Sequence, residues 1–140
     1  MKIVVSSKHK YRFFTVDNVI FDVPSRVYDE RAVEGWFRAI TQEASRFDKW
    51  MILSLPDNSL SISSRAASNL SERLPHLKRY GCLGFLLLVN HINARIFHHS
   101  LKDTPPEFDF VVSESMEYLC QQAELVLGEQ GRLNTFQAYS

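Results

Sequence analysis

Two cysteines in 140 residues are too few for a disulfide framework. Cys82 and Cys120 each sit inside an apolar run, where a free thiol behaves as a small hydrophobe, so a reducing, cytoplasmic setting is expected. Long hydrophobic runs are lacking too. The longest, Cys82 to Val89, falls far short of the ~20 residues that span a bilayer, and the opening Met1-Lys2-Ile3-Val4-Val5-Ser6 is too short for the apolar core of a secretory signal. The expectation is a soluble chain with no integral membrane association. Charge of either sign is not in excess, since 16 basic residues face 16 acidic ones. No global field then draws the chain to nucleic acid or an anionic surface.

Catalytic fingerprints are absent as well. There is no Walker-type spacing of glycines and lysine, no Gly-x-Ser-x-Gly elbow and no cysteine with a placed histidine partner. Cys82 heads an apolar strand, where a thiol is inert. Asp57 is the only acidic residue at the carboxyl mouth of the central strand, so no carboxylate pair offers acid–base work. The reading is a non-enzyme that needs no cofactor and holds no metal.

What is present is ordinary globular composition: 45% hydrophobic and 23% charged. A chain of this length fits one domain that buries roughly two thirds of its unfolded surface. The organising stretch is Trp50 to Leu74. There the apolar strand Trp50 to Leu55 runs through Pro56-Asp57-Asn58-Ser59 into a serine-headed helix beginning at Ser61, Ser63 or Ser64, three rival N-caps. A strand feeding a helix N-terminus leaves unpaired N–H groups and the positive end of the dipole facing outward, and ligands of open α/β sheets dock at such edges.

Before it, Lys10–Val16 and Val19–Val23 are β-favouring runs joined by Asp17-Asn18, a hairpin signal. Asp29 caps a helix whose stripe is Val33, Trp36, Phe37, Ile40, Ala44 and Phe47, with Trp36 and Phe37 read as core aromatics. After it, Ala66, Ala67, Leu70 and Leu74 form the next stripe, which Pro75 ends near Arg73. Cys82–Val89 reads as a central strand. A helix starting at Asn90 carries Ile92, Ile96 and Phe97, and Phe108–Val112 is a short edge strand. Ser113 caps a last helix with the stripe Met116, Leu119, Cys120, Ala123 and Leu127, and Gly128 is its C-cap. The alternation means right-handed β-α units and a mostly parallel sheet. Residues 1–128 are expected to form the domain and 129–140 a polar tail.

The opening hairpin, the strand Met51 to Leu55, the strand Leu83 to Val89 and the closing segment Phe110 to Leu119 together resemble the SpoIIAA-like fold, which includes STAS domains and related STAS/SEC14-like bacterial proteins. The resemblance implies a SpoIIAA-like α/β domain: a mixed, mostly parallel five-stranded sheet with an N-terminal hairpin and four helices. It also implies a non-catalytic binding or regulatory role, exercised on a protein partner or as a homodimer. STAS antagonists carry Asp-Ser-Ser-Gly at the head of the corresponding helix, and its first serine is phosphorylated. Ile62-Ser63-Ser64-Arg65 matches the serine pair without the flanking aspartate and glycine, so the resemblance implies Ser63 as the phosphorylation position.

The candidate contact residues are Asp57, Asn58, Ser59, Ser61, Ser63, Ser64 and Arg65, where hydroxyls, helix N–H groups and a cation converge. The competing reading is that the serines cap the helix and Asp57 opens a turn with Asn58. His91 and Arg95, with His98 and Lys102, share a helical face, either a solvated strip or a patch for an anionic ligand or acidic partner. Seven residues put His91 and His98 roughly 10 Å apart along the axis, too far for one zinc. The alternative function is a small-molecule or lipid carrier of SEC14-like type, with an apolar pocket between sheet and helices.

Overall fold

The computed structural model describes residues 3–8, 11–90 and 109–128. Asp17 adopts a left-handed backbone at φ 51°, and with Asn18 it turns the chain between β2 (Tyr11–Val16) and β3 (Val19–Asp22), which pair antiparallel. The five strands expected from the sequence form a mixed sheet: β2, β3, β5 (Trp50–Ser54), β7 (Cys82–Leu88) and β8 (Asp109–Ser113), with β8 at one edge. A sixth strand, β1 (Ile3–Lys8), joins antiparallel outside β2. Its Ile3-Val4-Val5 run favours extended backbone and carries the signal in the sequence. Contacts from β3 through β5 and β7 to β8 are all parallel.

Helix α1 (Glu30–Ala44) starts where Asp29 accepts the Ala32 N–H at 2.8 Å. Of the three rival serines before α2 (Ser64–Arg73), Ser63 takes the cap: its hydroxyl accepts the Ala66 N–H at 3.1 Å. The α-helical path ends at Arg73, and Leu74–Tyr80 tightens into a 3-10 turn with Pro75 near its start. For α3 (Met116–Gly128) the cap is not Ser113. Ser115 is bonded through its hydroxyl to the Tyr118 N–H, while Ser113 accepts the Ser115 N–H one step earlier. Two serines in tandem make the cap ambiguous from spacing alone. The helix expected after Asn90, which would carry His91 and Arg95, lies outside the described residues, so three α-helices stand among those described.

Side chains alternate along β2, β3, β5, β7 and β8 and build a core on both faces of the sheet. Trp50 and Ile52 pack with Phe13, Ile20 and Phe85 beneath α1 and α2. Met51 and Leu53 pack with Val19, Phe21 and Leu86 beneath α3. All five residues of β5 are buried, as its unbroken apolar run requires. Trp36 lies in the first core, and Phe37 is partly buried beside it. No helix among the described residues is long and apolar enough to cross a membrane.

Candidate binding site at the carboxyl edge of the sheet

The order β3-β5-β7-β8 never reverses, so no splayed switch point opens between neighbouring strands. The loops after β3 and β5 close over that edge instead. They pair as a parallel two-stranded ribbon, β4 (Val27–Tyr28) with β6 (Ser61–Ile62). Pairs this short carry no readable pattern, which is why the ribbon is invisible in the sequence.

Three of the candidate residues, Asp57, Ser59 and Ser61, hold the ribbon together. Asp57 accepts the Ser59 N–H at 2.8 Å through its side chain, and its own N–H donates to the Pro24 carbonyl at 2.8 Å. That Ser59 bond, together with Arg12 at 3.3 Å, holds the Asp57 carboxyl below the ordinary carboxylate range. Ser59 accepts the Arg26 N–H at 3.1 Å, and the Ser61 N–H donates to the Arg26 carbonyl at 2.7 Å. Both backbone groups of Arg26 are thereby bonded in a left-handed conformation, φ 61°. Ser63 is engaged as the helix cap. Arg65, at the head of α2, pairs with Glu30 at the head of α1 at 3.1 Å, both side chains largely exposed. Asn58 and Ser64 are exposed. The structure thus brings Asp57 to Arg65 onto one surface and bonds it to Pro24–Arg26, a partner loop that sequence reasoning missed.

Beneath the ribbon lies a small cavity between the sheet and the first two helices. Asp22 and Ser54, the last residues of β3 and β5, line it with Tyr28, Trp36, Ile62 and Phe85, and its free volume is about 30 Å³. One or two waters fit such a space, and an acyl chain does not. Asp22 is 2% exposed. One of its carboxyl oxygens accepts the Ser54 hydroxyl at 3.1 Å, and the other, Oδ1, has no hydrogen-bond partner among the described residues. Burial pushes the carboxyl up to about 7, against the lowering pull of Ser54, of the nearby Trp36 indole N–H and of Arg12. An aspartate inside the apolar run Val19-Ile20-Phe21-Asp22-Val23 was the available sequence signal.

No protein-family model matches the chain, and no curated protein sequence matches it. Chemistry therefore has to be read from the side chains themselves. Among the described residues no three His, Cys, Asp or Glu side chains converge as a metal-binding group. Cys82 is buried and donates to the Gly84 carbonyl at 3.4 Å; burial pushes its thiol up to about 12, which removes the thiolate that a nucleophile needs.

Proposed function

We propose that this chain is a non-catalytic binding domain of SpoIIAA-like, STAS-like type, regulating or docking a protein partner through the ribbon and the head of α2. The observation that supports this most is the state of the loops after β3 and β5. They are cross-bonded into a fixed surface bearing Val27, Asn58, Ser61, Ser64 and Arg65, with Val27 64% exposed. A preformed surface loses little conformational entropy on association, so more of the contact energy appears as affinity. An exposed apolar residue paired in the ribbon with Ser61, on a surface that also bears a cation, has the makeup of a small interface centre with polar surroundings. Phosphorylation at Ser63 fits the same surface, since a phosphate at a helix N-terminus meets the dipole favourably.

The test is affinity capture with Val27→Asp, Arg65→Glu and, as a control on the far helix, Leu125→Asp. Val27, Arg65 and Leu125 are all exposed, so each variant keeps its core. Loss of a captured partner with the first two and retention with the third is expected. Equal capture by all three would remove this surface from consideration.

A further inference from the structure

Where α2 gives way to the 3-10 turn Leu74–Tyr80, three residues complete one revolution, so side chains three apart eclipse along the axis. One such row, Leu74 and Leu77, is buried in the core. Another, Arg73, His76 and Arg79, lines an open groove of about 480 Å³ between this junction and α1. The Trp50 indole N–H donates to the Tyr80 carbonyl at 2.7 Å, and Trp50 opens β5. The groove therefore stands at the amino edge of the parallel strands, opposite the ribbon.

Arg12, Arg38, Arg46 and Arg65 each pair with a carboxylate, whereas Arg73, His76 and Arg79 form no ion pair among the described residues. Basic residues at a helix C-terminus are favoured by the dipole; that accounts for their presence here, and not for an eclipsed row without counter-ions along a groove. Asn69 accepts the Arg73 Nε–H at 3.1 Å, which positions that guanidinium in advance. Phe37 and Tyr80 meet edge to face in the wall, ring centroids 6.5 Å apart, with Tyr80 53% exposed. Glu72 is the single carboxylate of the lining.

We propose that this groove binds an extended acidic segment of a partner protein, its carboxylates on alternate residues lying along the row Arg73, His76 and Arg79. The spacing matches. A 3-10 turn rises ~2.0 Å per residue, so members of the row stand ~6 Å apart, and side chains on one side of an extended peptide recur every ~6.6 Å. Over three pairs the mismatch accumulates to about 1 Å, which flexible basic side chains absorb. Glu72 has a use toward such a segment, because an unpaired extended backbone offers N–H donors. A nucleic-acid strand suits the groove less: its unbroken charge meets Glu72, and Tyr80 is one exposed ring where base stacking needs several. The groove and the ribbon lie at opposite edges of the sheet, so either surface can fail without the other.

The experiment is an NMR titration of the intact chain with the acetylated, amidated peptide Thr-Glu-Thr-Glu-Thr-Glu. Its comparisons are the isomer Thr-Thr-Thr-Glu-Glu-Glu, the counterpart with Gln for every Glu, and hexathymidylate. The alternating peptide should move the amides from Arg73 to Tyr80 and the Tyr80 ring. The isomer carries the same charge but sets only two carboxylates on one side, so it should bind roughly threefold or more weakly. The Gln peptide should not bind measurably. Arg73→Gln and Arg79→Gln, both at solvent-accessible positions, should each weaken the alternating peptide by roughly three- to tenfold. Arg65→Glu, at the ribbon end, should leave its affinity unchanged. Shifts absent from the groove, equal affinity for the two isomers, tighter binding of hexathymidylate, or indifference to both arginine substitutions would overturn the proposal. The isomer comparison uses the native chain, so it stands even where a variant fails to fold.

Discussion

Among the described residues one carboxyl, Asp22, carries the large pH dependence of stability at the residue scale. The folded chain holds Asp22 at about 7 against an ordinary 3.8, so the fold prefers the protonated form. Below the ordinary value the group is neutral in both states and costs nothing. As pH rises from about 4 to about 7 the unfolded chain ionises freely while the folded one resists, and stability falls by on the order of 4 kcal/mol, then levels. Asp57 has the opposite sign: its lowered value favours the fold above the carboxylate range, but its exposure to solvent leaves it a minor contributor. Urea denaturation from pH 4 to pH 8 should show a decline in the native chain that Asp22→Asn lacks, and a parallel decline in both would refute the assignment. The caps make a second prediction at this scale. Ser115→Ala should destabilise by about 1 kcal/mol because it orphans an N–H of the first turn of α3. Ser113→Ala, which removes only a preceding turn bond, should cost less in the same assay. The reverse ranking would restore Ser113 as the cap.

Legibility in the sequence differs from element to element for physical reasons. Elements whose hydrophobic period repeats over several turns or residues were readable: the Val33-Trp36-Ile40-Ala44 stripe of α1 and the unbroken run of β5 each fix type and face without reference to the rest. So were backbone stops, with Pro75 ending α2 and Gly81 turning into β7. The β4–β6 ribbon was not readable, because two-residue strands exist only through bonds to a distant loop, Arg26 to Ser59 and Ser61. For the same reason Asp57 and the serines were placed at the right edge, while their engagement with Pro24–Arg26 was not visible. Gly81 lends itself to a sharp test. Its φ is +91°, and an added Cβ would meet the Asp48 carbonyl oxygen. Rigid backbone stands on the far side of that clash, so Gly81→Ala should lower stability by about 2 kcal/mol or more. Thermal denaturation checks it, and a variant within 0.5 kcal/mol of the native chain, roughly the scatter of neutral surface changes, would show that the loop yields.

For the whole molecule, the decisive feature is that two cores share the strands of one sheet, with β5 buried along its whole length. Ile52 points into the core under α1 and α2, and Leu53 into the core under α3. If the sheet transmits the loss of packing from one face to the other, the cores unfold together, because neither layer of helices keeps a partner once β5 leaves. Truncations on opposite faces should then each cost about 2–5 kcal/mol and shift the same transition. Both tryptophans lie on the first face, Trp36 and Trp50, so fluorescence reports that core while far-UV dichroism reports all helices. In Leu53→Ala, whose lesion is on the second face, the two signals should give coincident urea midpoints, both displaced from the native chain. A fluorescence midpoint that stays at the native value while dichroism shifts would mean that α3 separates on its own, and that the sheet divides the molecule into two units.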